Sequence, residues 1–329
     1  MAVSPQPPRN AFVARVRKIY NPVGFTHGYN FILWFVFGGA LLGFSLARLQ
    51  YLDFYGTYCN PDRSQQSGAL PGECFYFLRP FYSAAVILHL ACILPAAMLT
   101  VLQFVPAIRH KLLIFHRING YIILLLSLAG AVGGLMLARR TAGGAVDAQA
   151  SIGVLGVAFV LALTAAYYNI KRMRIDLHRA WMLRAWAWAG SIITMRIILI
   201  ILAIVLPTTD AYYSSQPCEK VAWQMNNPEL VQAAYPECAD YFNSTAGPQQ
   251  QEQQQLHVSV LAAFRGARNS AQVMSAFDLS FGSAMWLALA IHAFGVELYL
   301  ALTRSEAARL RKVSLERRGK KASSGPSTP

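Results

Sequence analysis

Two short stretches set a histidine and an arginine against the start of a long apolar segment: FHRINGY, from Phe115 to Tyr121, and LHRAWMLR, from Leu177 to Arg184. An imidazole in such a place can ligate metal, because the free N–H groups and positive dipole end of a helix amino terminus disfavour its protonated form. The neighbouring guanidinium suits forked contacts with phosphate or carboxylate, such as a lipid head group or a haem propionate. Helix amino termini attract anions for the same reason. The separation of 62 residues from His116 to His178 is enough for an outward helix, a turn and a return helix, which places both His-Arg pairs at the same mouths of parallel helices. His116 and His178 would then bracket an inner haem b iron, with Arg117 and Arg179 at its propionates. In the plainer reading, Arg117 and Arg179 mark the span boundary and snorkel to the surface while the histidines fill interfacial hydrogen bonds.

Further polar residues lie deeper in apolar sequence. His89 stands eight residues past Phe81 and His292 eleven past Phe281; ionisable residues within spans are uncommon and usually face the bundle interior. The pair could hold an outer iron, although their depths match imperfectly. Arg196 is 18 residues beyond His178, five helical turns, so the two share a face about 27 Å apart. Gln103 falls within about 40° of the face of His89. Glu297 is on a different face from His292, and Asp278 is expected to be a solvated carboxylate near the outer boundary. These groups also support a second class of function, a non-enzymatic transporter or lipid-binding protein in which His89, Gln103, Arg196 and Glu297 line a polar stripe.

The elements that must carry these residues follow from composition. Hydrophobic residues make up 55% of the 329 and charged ones 13%, and the apolar residues fall in blocks long enough to cross ~30 Å of hydrocarbon. Six spans are expected: Phe31 to Ala47, Phe81 to Val105, Tyr121 to Leu137, Ile152 to Ile170, Trp181 to Leu206 and Phe281 to Leu302. Blocks this long satisfy their backbone only as helices, so the fold class is all-α, a polytopic helical membrane bundle. Of 29 Lys and Arg, twenty fall in the two tails and two alternate connections, eight in the opposite connections and one, Arg196, within a span. The positive-inside rule then puts both termini in the cytoplasm. The formal charge of +14 hugs span ends rather than forming a soluble basic domain, which argues for anionic membrane lipid head groups as partners and against nucleic acid.

The resulting organisation is a cytoplasmic tail at 1–30, five transmembrane helices over 31–206, a non-cytoplasmic loop at 207–275, a sixth transmembrane helix at 276–303 and a basic cytoplasmic tail at 304–329. Residues 1–30 lack the apolar centre of a cleavable signal, so the first span is expected to anchor the chain. Four of the five cysteines sit in outer loops, the partition expected of disulfides in an oxidising compartment. Four cysteines allow three pairings, and the local ones are favoured: Cys59 with Cys74 and Cys218 with Cys238. Asn243-Ser244-Thr245 is an N-glycosylation pattern, which points to a glycoprotein of a eukaryotic secretory-pathway or plasma membrane. The glutamine run Gln249 to Gln255 reads as a spacer, LHVSVLAAF (Leu256 to Phe264) as an interfacial segment, and the chain past about Lys321 as disorder. Gly133-Gly134 reads as a site of close helix packing. Trp186, Trp188, Tyr167 and Tyr168 read as ordinary bundle or interfacial aromatics.

The block from His89 through Gln103, His116-Arg117-x-x-Gly120 and His178-Arg179-x-Trp181-Met182-x-Arg184 to Arg196 resembles the predicted membrane protein family catalogued as domain of unknown function 2306. The resemblance spans about Tyr82 to Leu206 and leaves the first span, the cysteine loops and the sixth span outside it. It implies a helical membrane fold and brings no activity with it. No GxSxG elbow, phosphate-cradling glycine loop or HExxH is present, so nothing favours soluble-type catalysis. Of the two classes, the leading one is a haem-binding transmembrane oxidoreductase, similar to the b-type cytochromes only in having histidines on neighbouring helices.

Overall fold

The computed structural model describes residues 7, 10–62, 67–243 and 256–323. Among these, six helices are long and apolar enough to cross a membrane, one for each expected block: α1 (Gly28–Leu52), α2 (Pro80–Gln103), α3 (Leu113–Leu137), α4 (Val146–Lys171), α5 (Ile175–Val205) and α6 (Ser270–Leu302). A basic helix, α7 (Arg304–Ser323), follows α6 directly. Several helices begin earlier than the apolar blocks do. Both His-Arg pairs lie inside the first turn of their helices, where the amides of His116 and His178 already donate to Leu112 O and Arg174 O at 2.9 Å. The backbone satisfies itself before the sequence becomes apolar, so polar residues occupy the first helical turn.

The chain divides into two compact units, Met1–Leu137 and Ala138–Pro329. In the first, α2 is the central helix: 39% of its most apolar window is buried, against 6% for α1. The α2–α3 contact is built on missing side chains. A Cβ on Gly133 would lie 2.8 Å from Ala85 O and from the His89 amide, and one on Gly134 would lie 3.0 Å from His89 Nδ1. Gly130 meets Ile93 at 3.3 Å and the Cβ of Cys92 at 3.5 Å in the same sense. Apolar side chains gain little by leaving lipid for one another, so close backbone approach across small residues supplies the attraction. On the other side of α2, Trp34 Nε1 of α1 donates to Val101 O at 3.1 Å. Cys59 and Cys74 form a disulfide, and the rings of Tyr58 and Phe77, near them in sequence, stack on one another.

In the second unit, α5 packs against α4 and α6. Beyond the carboxyl end of α5 the chain forms a small subdomain rather than a loose loop. Strand β1 (Tyr213–Pro217) pairs antiparallel with β2 (His257–Leu261), with Ser215 opposite Ser259. This corrects the expectation of an interfacial segment at Leu256 to Phe264. HVSVL alternates, and its inward Val258 and Val260 bury against Val221, Val231 and Met274, as a half-buried strand requires. The Cys218–Cys238 disulfide lies in the same core, so both cysteine pairings are the local ones. Tyr235 donates to Asn269 Oδ1 at 3.3 Å while that oxygen caps α6 through the Gln272 amide; burial raises the pKa of the tyrosine, and the Asn269 bond offsets part of that rise.

Asp278 also departs from expectation. It is not a solvated boundary carboxylate but is 5% exposed, ion-paired with Lys220, itself 1% exposed, at 2.8 Å. Gln216 Nε2 donates to the same oxygen at 3.1 Å, and its Oε1 accepts from Lys220 at 3.0 Å. Gly143, with φ of 71°, lets the turn before α4 reach this carboxylate, since a Cβ there would lie 2.6 Å from Asp278 Oδ2. At the opposite end of α5, the fully buried Ser314 of α7 accepts the Ile175 amide at 2.9 Å and lies 3.0 Å from Asp176 Oδ1. Asn243 ends a short helix, Ala239–Asn243; Ser244, Thr245, the glutamine run and residues 324–329 lie outside the described residues.

Candidate functional site

Three histidines of the bundle, His89, His178 and His292, are each placed by a main-chain carbonyl. In the first unit, His89 Nδ1 lies 2.7 Å from Gly130 O of α3, and the absence of a side chain at Gly134 makes room for the ring. In the second, His178 Nδ1 of α5 lies 2.9 Å from Ala166 O of α4. His292 Nδ1 of α6 lies 2.6 Å from Ala187 O of α5, beside Gly190. A carbonyl only accepts, so in all three rings Nδ1 carries the proton and Nε2 the lone pair. For His292 that lone pair is taken, since Nε2 lies 2.7 Å from Thr194 Oγ1 and accepts its hydroxyl proton.

His116 and its neighbours form a separate clasp at the α2–α3 turn. Gln103 Nε2 donates to His116 O at 2.7 Å, and Asn119 Nδ2 donates to Gln103 Oε1 at 2.9 Å and to Leu99 O at 3.3 Å. A Cβ on Gly120 would lie 2.9 Å from Gln103 Nε2. The Gln103, His116 and Gly120 of the motif are thus parts of one joint: the glycine admits the amide that grips the histidine carbonyl. Arg117 is exposed.

The second motif joins α5 to α6. Arg179 Nη2 donates to the Tyr299 hydroxyl at 3.1 Å and lies over its ring. Arg184 lies 4.8 Å from the Trp181 ring centroid and forks onto Glu297 at 2.6 and 2.9 Å. Glu297 therefore serves as the partner of Arg184 rather than of His292. Arg196 differs from both: its Nε is buried with no hydrogen-bond partner among the described residues. Sequence reasoning missed Asn119, Thr194 and Tyr299 as partners. Asn119 carried a signal, three residues after His116 and so on a neighbouring face of the same helix; Thr194 and Tyr299 carried none beyond lying one turn or so from residues already singled out.

These positions allow a test of fit for haem. Among the described residues, no three His, Cys, Asp or Glu gather as a metal site, so ligation would rest on one or two imidazoles, as haem needs. His89 and His178 fit. Each ring is oriented through Nδ1 by a carbonyl of the next helix, the arrangement found where a second carbonyl contact steadies a metal-ligating histidine. His292 does not fit without displacing Thr194. His89 and His116 belong to the first unit and His178 and His292 to the second, and Arg179 stands beside His178 with one nitrogen on Tyr299.

The chain is 23% identical over 340 residues to the Ava biosynthesis cluster protein G of Aspergillus versicolor, a similarity covering 89% of this chain and 94% of that protein. No solved structure matches it. From α2 through the α5 motifs into the subdomain that follows α5, residues 86–227 match the family described as predicted membrane protein, DUF2306.

Proposed function

We propose that this membrane protein is a redox protein whose transmembrane histidines ligate haem iron. The observation carrying the reading is the shared Nδ1–H contact: His89 and His178 each donate to a carbonyl on the next helix, which fixes the tautomer that a metal requires and raises the basicity of Nε2. Haem b, when bound, would supply one-electron chemistry within the bilayer. The chain contributes ring orientation and, beside His178, the Arg179 guanidinium held by Tyr299 as a propionate partner. The Aspergillus relative is named for a biosynthesis cluster, and on this reading the present chain would act at a redox step of a biosynthetic sequence.

The test is the absorption spectrum of the purified protein in detergent. A Soret band that shifts on dithionite reduction is expected, diminished in His178→Ala and in His89→Ala and retained in His292→Ala. A folded, colourless preparation reconstituted with haem b to no effect would overturn the reading in favour of the non-enzymatic one, transport or lipid binding along the polar stripe.

A further inference from the structure

Helix α5 carries three arginines with different surroundings. Arg179 and Arg184 reach Tyr299 and Glu297, whereas Arg196 makes no ion pair or hydrogen bond among the described residues and buries its Nε. It stands nine residues before Val205, about 14 Å from the outer helix end, too deep for the backbone of α5 to relieve it and between residues as apolar as Met195 and Ile197. A guanidinium cannot shed its charge and can only donate, and a lone charge in a span is costly unless something answers it.

The same helix has further donors in that condition. Trp186 Nε1 and Trp188 Nε1 are buried without acceptors, as is the Ser191 hydroxyl. An indole N–H, like a guanidinium, only donates. Arg196 is ten and eight residues, about 15 and 12 Å along the axis, beyond Trp186 and Trp188, and lies about 80° round the helix from each. Buried polar groups in native proteins are nearly always satisfied, so three donor-only groups on one helix indicate acceptors that come from outside the chain.

We infer that the second unit binds an apolar carboxylate whose anionic end is held by Arg196. One unpaired positive charge calls for one negative charge, and the apolar run of α5 on either side of Arg196 calls for an apolar body. A fatty acid drawn from the bilayer and a small lipophilic acid share this chemistry. The inference does not rest on haem, since none of these donors touches His89 or His178.

Tryptophan fluorescence of the full chain in detergent tests it, because bromine quenches an indole only at short range. The probes are 9,10-dibromostearate, its methyl ester and 4-bromobenzoate. The expected result is saturable quenching by at least one acid, with the stearate preferred over its ester tenfold or more if the source is a fatty acid, and the benzoate alone active if it is a small acid. Arg196→Gln should abolish the preference while melting no lower than the parent, since it removes an unanswered charge. Should that variant not fold, Arg196→Lys, which keeps the charge without the fork, should weaken acid binding at least threefold. Absence of quenching by either acid, equal quenching by stearate and ester with benzoate inactive, or acid binding unchanged by the substitution at position 196 overturns the inference.

Discussion

The two units hold their helices together by different means. In the first, α2 and α3 meet where side chains are missing, at Gly130, Gly133 and Gly134; in the second, α5 and α6 meet through Arg179, Arg184, Thr194 and His292. Lipid cannot distinguish a leucine facing it from one facing another helix, so association has to come from close backbone approach or from hydrogen bonds across the seam. The first unit combines the two, since His89, Gln103 and Asn119 also hydrogen-bond between α2 and α3, whereas the α5–α6 seam is held chiefly by side-chain hydrogen bonds. The difference teaches where each tolerates change: the first seam should resist added volume, the second the removal of a donor.

The largest effect should come from the buried Lys220–Asp278 pair of the second unit. Lys220→Met leaves Asp278 uncompensated and is expected to destabilise the unit by about 3–5 kcal/mol, read as loss of protease resistance in detergent; adding Asp278→Leu should recover much of it. Next is Gly133→Val, which sets a side chain against the backbone of α2 and should cost about 1–3 kcal/mol or more, with the first unit melting earlier and the second unchanged. Thr194→Val should cost about 1 kcal/mol by removing the partner of His292 Nε2. Arg184→Ala is expected to cost no more, since Glu297 is 53% exposed and an exposed pair contributes little. A Gly133→Val variant as stable as Thr194→Val would dissolve the contrast between the units.

Much of the architecture was readable before any coordinates. Span length alone locates six helices, and the cysteine partition leads to both disulfides, because each depends on one-dimensional facts: how long an apolar run is and on which side a residue falls. Pairing is another matter. Helical spacing placed Glu297 off the face of His292 but could not say that Arg184, 113 residues earlier, waits opposite. Asp278 looked like a boundary carboxylate because nothing local marks Lys220, 58 residues away, as its partner. The β1–β2 pair was missed for a similar reason: HVSVL is only five residues long, and a short apolar run needs its partner strand before it declares itself. The glycines fared better, since Gly133-Gly134 inside an apolar helix has few other uses.

With four cysteines joined in disulfides, Cys92 is the single thiol in the chain, and it lies against Gly130 on the seam between α2 and α3. The unaltered protein thus carries its own reporter. A membrane-permeant maleimide would attach at one position only, and its rate of attachment would measure how often that seam loosens, with no engineered label and no reference variant.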